Sequence, residues 1–564
     1  MVGTSVWIPN SLRHTSARSA SSASRESGGN AARWAVGADT RSRYQLRQDP
    51  SCAWARDRAM TARRPPAARE QRGRSTRRRA NHVEVVARRA RSWLAGLAVG
   101  AASGSCLPTP VYRCDANDAC ADLGVEARCE PEGYCSEADA GCTSGRRFHA
   151  WAGEGLADRC TDVRCGDGVM QADELCDDGN DIEGDGCNGD CRPSGQEQWK
   201  VGYASPGDVP DRCYSVVVDS HGDITLIGEV GSTDVGQNLW VRQYDPSGEA
   251  RWTWVLDGDA HLDEEGWSVV LLENDELLVV GYVTRVDTGG DLWLGRIDHE
   301  GILQWSVAQD GGQAWGDAIR DVTFAPDGDL VAIGYATTDL DRETDLWFQR
   351  RSPDGQLVRW TQHRDGLEDD AQDRAHGIAA IAGGYVGVGM KQTTAGQRFW
   401  VESFDEMGRT RWTDEAAADD PQSVWTAVAA LPSGDVLLAG WRAAAAGDTD
   451  MWLQRRAADG NVVWDEIVAS PGHDDDKANV LLVDERGGFL VGGEMGAGAG
   501  STDAWIRRYD ADRNEVWTFG YSGPAGDRDT TWGLAFAPDG AVVACGYESS
   551  PGTDWDLWVR RITP

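Results

Sequence analysis

Seven tryptophans, Trp240, Trp293, Trp347, Trp400, Trp452, Trp505 and Trp558, recur 52 to 54 residues apart through the last two-thirds of this 564-residue chain. A fixed period of that length means supersecondary units that stack or close into a ring. A second series, Trp252, Trp305, Trp360, Trp412, Trp464 and Trp517, follows the first by 12 or 13 residues. Each unit reads as four short strands: an apolar run (residues 214–219 in the first), a second run (224–228), a strand around the phased tryptophan, and a fourth carrying the other tryptophan. The turns HGD, PDGD, PSGD and PDGA have hairpin chemistry, with glycine at the left-handed position. Four short strands per unit without a helical period are the blade of a β-propeller. The expectation is an all-β fold, a seven-bladed β-propeller over residues 197–564, with the tryptophans as wedges between blades.

Glycines 228, 281, 334, 387, 440, 493 and 546 stand 53 residues apart. Glycine inside a strand weakens it unless backbones approach closely, so these are read as structural positions near a crowded axis. The last unit contains Trp558 but ends at Pro564 before a fourth strand, and Trp199 lies 53 residues before Trp252. The N-terminal strand is expected to complete the seventh blade, leaving no open sheet edge. Cys213 and Cys545 then fall on one face of that seam, as a disulfide or as two buried thiols.

The stretch DPSGEARW (245–252), with glycine four residues before tryptophan, resembles the tryptophan repeat of quinoprotein-like propellers. The aspartate lies one residue nearer the glycine than in that family, the units number seven where quinone-dependent dehydrogenases have eight, and no adjacent Cys-Cys pair is present. The resemblance implies the fold and not the cofactor.

The net charge of −36 conceals an asymmetry. Residues 1–92 hold 20 Lys+Arg against 6 Asp+Glu, or +14, so the remainder carries −36 − 14 = −50. So acidic a chain argues against nucleic-acid binding, which needs clustered lysine and arginine. No run of 18 apolar residues offers a membrane-spanning helix. Residues 1–92 read as a basic disordered segment, with Met60 or Val86 as candidate starts. From Val86 the chain reads VARRARSWLAGLAVGAASGSC, a basic stretch, an apolar region (93–105) and small residues, which is the layout of a secretory signal. Ser103-Gly104-Ser105-Cys106 resembles a bacterial lipoprotein box, which implies lipidation of Cys106. The alternative is cleavage near Ala102, with Cys106 in a disulfide. Either way the expectation is export, to the outer membrane or into the medium at a bacterial surface.

Eleven of the 14 cysteines lie between Cys106 and Cys191, a density that reads as a disulfide framework in an oxidising compartment. Beyond Cys106 the framework comprises Cys114, Cys120, Cys129, Cys135, Cys142, Cys160, Cys165, Cys176, Cys187 and Cys191. Zinc is disfavoured, because no CxxC pair occurs and only His149 lies nearby. Residues 106–160 form a stalk and 161–194 a second module. Within the latter, CGDGVMQADELCDDGNDIEGDGCNGDC (165–191) resembles the Myxococcus-type cysteine-rich repeat, which implies a small disulfide-bonded extracellular module with no known catalytic activity. Asp177, Asp178, Asn180 and Asp185 crowd hard oxygen donors among glycines, as calcium requires. The competing reading is a set of acidic turns stabilised by their own side chains.

Function is expected on the variable loops. Several are acidic, at 257–266, 365–373 and 473–476, but their residues differ between units and show no repeated ligand code. No GxSxG elbow or HExxH helix occurs. These features read as a non-enzymatic surface binding or scaffold protein whose partner is an extracellular protein or glycan. Membrane contact is expected only through the lipid, and no cofactor is expected beyond calcium. The alternative is a secreted hydrolase acting on glycans or cell-wall material through paired Asp/Glu residues.

Overall fold

The computed structural model describes residues 113–564 except 115–118, 121–126, 131, 140, 143–145, 153–155, 162–164, 167–169, 171–173, 207–208, 232–235, 313–315, 339–342, 365–371, 418–420, 445–446, 472–473, 499 and 552–554. Cys106, the basic segment and the apolar stretch at 93–105 lie outside the described residues. No helix among the described residues is long and apolar enough to cross a membrane.

The cysteine-rich region holds one small sheet, Arg128–Cys129, Cys135–Ala138 and Arg146–Phe148. Disulfides Cys114–Cys129, Cys120–Cys135, Cys142–Cys160 and Cys176–Cys187 cross-link it and the segment that follows. So short a region buries too little apolar surface to hold itself by packing alone, and bridges supply the constraint. Eight of the ten expected framework cysteines are bridged, while Cys165 and Cys191 are unbonded thiols that interact directly with each other. The Cys165 sulfur lies 3.6 Å from that of Cys187, which is already bonded to Cys176.

Every later sheet is four-stranded and antiparallel, and seven are present among the described residues. Their first strands, called inner strands below, are Arg212–Val218, Glu265–Leu271, Ala318–Phe324, Arg374–Ile381, Ser423–Ala430, Lys477–Val483 and Thr530–Phe536. Each inner strand touches the next, and the last touches the first. Six sheets use consecutive strands. The seventh joins Thr530–Phe536, Val542–Ser549 and Trp555–Ile562 to Glu197–Tyr203, with Trp558 opposite Gly202. Repeated four-stranded sheets in this succession fit a β-propeller. Cys213 and Cys545, on the inner strand of the first sheet and the second strand of the seventh, are joined by a disulfide.

Second strands are buried on both faces and read as continuous apolar runs, ITLIG, LLVVG, LVAIG and VLLAG among them. Outermost strands such as Ala250–Leu256 alternate exposed with half-buried residues. The seven phased tryptophans are at most 4% exposed and fill the space between neighbouring sheets. Trp240, for example, packs in one cluster with Val543 and Val559 of the seventh sheet.

Each phased tryptophan stands opposite a second-strand glycine: 228, 281, 334, 389, 440, 493 and 546. In the fourth sheet the equivalent position is therefore Gly389 and not Gly387, which the uniform 53-residue spacing had picked out. The cause lies within each sheet rather than in crowding at the axis. Every inner strand carries a β-bulge at one position: Cys213 pairs with Gly228 and Ser215 with Ile227, so Tyr214 is left out of register. The bulge pushes a carbonyl oxygen onto the facing glycine, from Arg212 onto Gly228 and from Arg374 onto Gly389, and a Cβ there would overlap it. A Cβ on Gly387 meets only side chains, the nearest being Ile333 Cδ1 at 2.6 Å.

The second tryptophan series ties neighbouring sheets along the rim. The indole N–H groups of Trp199, Trp252, Trp360 and Trp412 donate to the carbonyls of Pro246, His299, Glu406 and Ala458, at 3.0–3.2 Å. Turn glycines Gly301, Gly355 and Gly460 lie against the rings of Trp252, Trp305 and Trp412.

Candidate binding site at the axis

The bulge that fixes the glycines also aims one residue per sheet at the space enclosed by the inner strands. From the first sheet to the seventh these are Tyr214, Trp267, Arg320, His376, Thr426, Asn479 and Trp532. All seven line a cavity of about 430 Å³. The positions are equivalent and the side chains are not. A second variable set follows the glycines: Glu229, Tyr282, Tyr335, Met390, Trp441, Glu494 and Tyr547. Of these, Met390 and Trp441 line the same cavity. Tyr282 and Tyr335 line an adjoining one of about 580 Å³, which reaches the loops at Leu262, Asp263, Gly290 and Gly316. Trp267, Arg320 and Arg374 belong to both cavities.

Three consecutive sheets, the seventh, first and second, make an aromatic arc. Tyr214 stacks on Trp267 with centroids 4.1 Å apart and meets Trp532 edge-on at 5.7 Å. The Arg320 guanidinium lies over the Trp267 ring, 3.2 Å from its centroid. Burial draws the Arg320 pKa down from the usual guanidinium value. His376 hydrogen-bonds through Nδ1 to the Trp425 carbonyl at 3.1 Å; a carbonyl only accepts, so Nδ1 carries the proton. Burial, with Arg320 next, pushes the His376 pKa down to about 3, so the ring is neutral at physiological pH. Asp321 holds three inner strands together, accepting from Ser268 Oγ at 2.9 Å, Ile378 N at 2.9 Å and Val322 N at 2.8 Å.

The charged groups around the axis divide into paired and unpaired. Lys477 and Arg528 both pair with Glu494, and Arg212 pairs with Glu229. Glu229 also accepts from the Tyr214 hydroxyl at 3.0 Å, and burial together with neighbouring Glu265 raises its pKa. Displaced carboxyl groups of this kind mark acid–base sites. Glu229 is sealed, however, with none of its surface exposed. No ligand in the cavity reaches it without a rearrangement.

The acidic loops hold one repeated position, which serves the backbone rather than a ligand. A carboxylate recurs immediately before six of the seven inner strands, as Asp211, Glu264, Asp317, Asp373, Asp476 and Asp529, with Ser423 in the fifth sheet. All six are at most 2% exposed. Asp317 is representative: Oδ2 accepts from Gly311 N at 2.6 Å and Oδ1 from Thr337 N at 2.7 Å, clamping the entering loop to the end of the second strand. Asp476 and Asp529 make the same two bonds, to Ser470 and Gly496 and to Gly523 and Ser549. Burial pushes Glu264 and Asp317 up to about 7 and Asp529 up to about 6. The repeated acids bind the protein's own backbone. Of the segments expected to carry function, 365–371 and His473 lie outside the described residues.

In the cysteine-rich module three of the four candidate calcium donors serve turns. Asp177 accepts from Gly179 N at 2.8 Å, Asn180 from Ile182 N at 2.8 Å, and Asp178 from Asn180 N at 3.3 Å and Cys187 N at 3.0 Å. Burial raises the Asp185 pKa, with Asp178 alongside. Among the described residues the one convergence of three metal-ligating side chains is Cys114, Cys120 and Cys129, whose sulfurs are committed to disulfides.

Fold and site together describe an all-β protein of repeated four-stranded sheets with a polar, aromatic-lined cavity on their common axis. Residues 156–192 match a family model described as a domain of unknown function, DUF4215, which supports the cysteine-rich module. A search of curated proteins finds no match. Among solved structures, a protein of unknown function from Dyadobacter fermentans is 12% identical, covers 66% of this chain and 100% of its own, and gives a TM-score of 0.38. An ulvan lyase of polysaccharide lyase family PL25 is 9% identical, covers 65% and 96%, and scores 0.47. An α-L-arabinanase from Penicillium chrysogenum, solved with arabinobiose, is 11% identical, covers 57% and 99%, and scores 0.39.

Proposed function

We propose that this chain is an exported, non-enzymatic binding protein: a seven-bladed β-propeller that takes its ligand at the axis and is carried on a disulfide-rich module. In this reading the seven sheets are blades, and the 165–191 segment is a Myxococcus-type repeat. Cys106, if the lipoprotein box is used, tethers the whole at the cell surface. One observation carries the functional part. Seven equivalent bulges deliver side chains of six kinds into one cavity, while the glycines, tryptophans and clamping carboxylates around them repeat. A scaffold that holds everything constant except the residues facing an enclosed space is built to recognise something there.

The alternative is a glycan-degrading enzyme. It draws on the raised carboxyl groups of Glu229 and Glu265, and the burial of Glu229 weighs against it. The test is a glycan and peptide array probed with the mature chain, followed by analysis of the bound material for new reducing or unsaturated ends. Retention without new ends is expected. Release of fragments would overturn the binding reading in favour of the enzyme.

A further inference from the structure

Arg320 and Arg374 come from neighbouring inner strands and face both axial cavities. Each is held beside an aromatic ring, Arg320 over Trp267 at 3.2 Å and Arg374 over Tyr335 at 5.1 Å. Other basic groups at this level have ion-pair partners: Lys477 pairs with Glu494 and Asp475, Arg528 with Glu494, and Arg212 with Glu229. Among the described residues, no carboxylate lies within ion-pair distance of Arg320 or Arg374, and Arg374 Nε has no hydrogen-bond acceptor. The nearby acids make their hydrogen bonds elsewhere, and Glu265 attracts Arg320 only through space. Asp321 accepts from two backbone N–H groups and a serine hydroxyl, and Glu265 is bonded to Glu229 and Tyr282.

Two adjacent guanidinium groups that form no direct ion pair, with Glu265 acting on Arg320 only through space, repel one another and lose hydration as the cavity encloses them. Such an arrangement is costly unless a ligand supplies the missing charge. Stacking a guanidinium on an indole face leaves its N–H donors free around the rim, in the plane that matches a carboxylate's two oxygens. The remaining wall suits a hydroxylated ligand. Ser215 and Gln397 offer polar side chains, Asn479 directs its amide nitrogen to Thr530 and Thr531 and so leaves its carbonyl oxygen open, and Trp441 offers a flat ring. At about 430 Å³ the inner cavity is in the range of small-ligand sites, roughly 300–1,000 Å³.

We infer that the axial cavity binds an acidic saccharide, its carboxylate gripped between Arg320 and Arg374. This assignment rests on the binding reading above and names its ligand class. The experiment is a tryptophan-fluorescence and calorimetric titration of the disulfide-intact chain with four probes: a galacturonate disaccharide, its methyl ester, sodium sulfate, and a short peptide with a free C-terminus. The acid should bind at least tenfold more tightly than the ester, and sulfate and peptide should not compete at matched concentration. Arg320→Met and Arg374→Met should each weaken the acid tenfold or more, weaken the ester much less, and not lower the melting temperature. Arg320→Lys should not restore the loss, because a point charge lacks the fork.

Equal affinity for acid and ester overturns the assignment and leaves the binding reading standing. Competition by sulfate reduces the site to a general anion site, and preference for the peptide moves it to another ligand class; either result overturns the saccharide. Cleavage of the disaccharide would instead sink the binding reading while the arginine assignment survives. The acid-to-ester ratio on the unaltered protein needs no variant, so a misfolded arginine mutant does not spare the proposal.

Discussion

Gly195 packs against the ring of Trp517, so closely that a Cβ there would lie 2.7 Å from it, in the place that a hairpin-turn glycine takes against Trp252, Trp305 and Trp412. The seventh sheet has no hairpin between its last two strands, because the fourth strand arrives from the other end of the chain. Gly195, four residues before Trp199, supplies the missing turn. Its backbone N–H also reaches the carbonyls of Thr563 and Pro564 at 3.3 Å, so closure includes the rim as well as the strand pairing.

The bulge explanation of the glycines separates two residues only two positions apart. Gly389→Ala drives a methyl into the Arg374 carbonyl, a backbone atom that cannot step aside, and should cost several kcal/mol. Gly387→Ala meets Ile333 Cδ1, the end of a side chain that can turn away, and should cost clearly less. Urea unfolding of both variants checks the order; equal losses would return the requirement to general crowding at the axis.

The Cys213–Cys545 bridge joins the two ends of the ring across a very long loop. Replacing both cysteines with serine should lower stability by about 2–5 kcal/mol, since the bridge restricts the unfolded chain. Limited proteolysis should then cut first near residues 204–211. A double variant as protease-resistant as the parent would mean that strand pairing alone holds the seam.

Stability should fall as pH rises from about 4 to 8. Glu264 and Asp317 titrate near 7 and Asp529 near 6 in the folded chain, and Asp211 is raised, against about 4 when unfolded. Between those limits the folded state binds more protons than the unfolded, so raising the pH favours unfolding. The contribution is complete below the unfolded values and gone above about 7. Turn carboxylates such as Asp245, lowered by Ser247, act in the opposite sense and erode stability below about 4. Melting temperature against pH should therefore peak near 4–5, and Asp317→Asn should flatten the descending limb while lowering the peak. A melting temperature that rises steadily to pH 8 would contradict the burial of these acids.

The hydrogen bonds of Asp177, Asp178 and Asn180 account for most of the acidic turn without an ion. Chelator or millimolar calcium should leave the melting temperature within a degree. A calcium-dependent rise, abolished by Asp178→Asn with Asp185→Asn, would instead establish the ion site.

How much of this was written in the sequence depends on what repeated. Wedge tryptophans and turn glycines meet the same packing in every sheet, so they kept their type and spacing and made the architecture legible. The bulges were invisible because a bulge has no composition of its own, and the residues it exposes run from three aromatics, Tyr214, Trp267 and Trp532, to Arg320, His376, Thr426 and Asn479, with no type common to all seven. The clamping acids were missed for another reason: loops of unequal length put Asp317 and Asp373 56 residues apart where other pairs stand 53 apart. Measured within a sheet, the signal is sharp. The acid precedes the bulge-facing glycine by 17 residues in five of its six sheets and by 16 in the fourth, where a loop three residues longer and a hairpin one residue shorter together carry the equivalent glycine from 387 to 389.

The bulge has a consequence for change. Its side chain stands outside the strand pairing of its own sheet, yet Thr426 donates to the Ala478 carbonyl and Asn479 to Thr530 and Thr531, each on the next inner strand. Each such position therefore serves the cavity and the seam between sheets together. A lineage carrying this chain could retarget it one sheet at a time only where the new side chain keeps or replaces that tie.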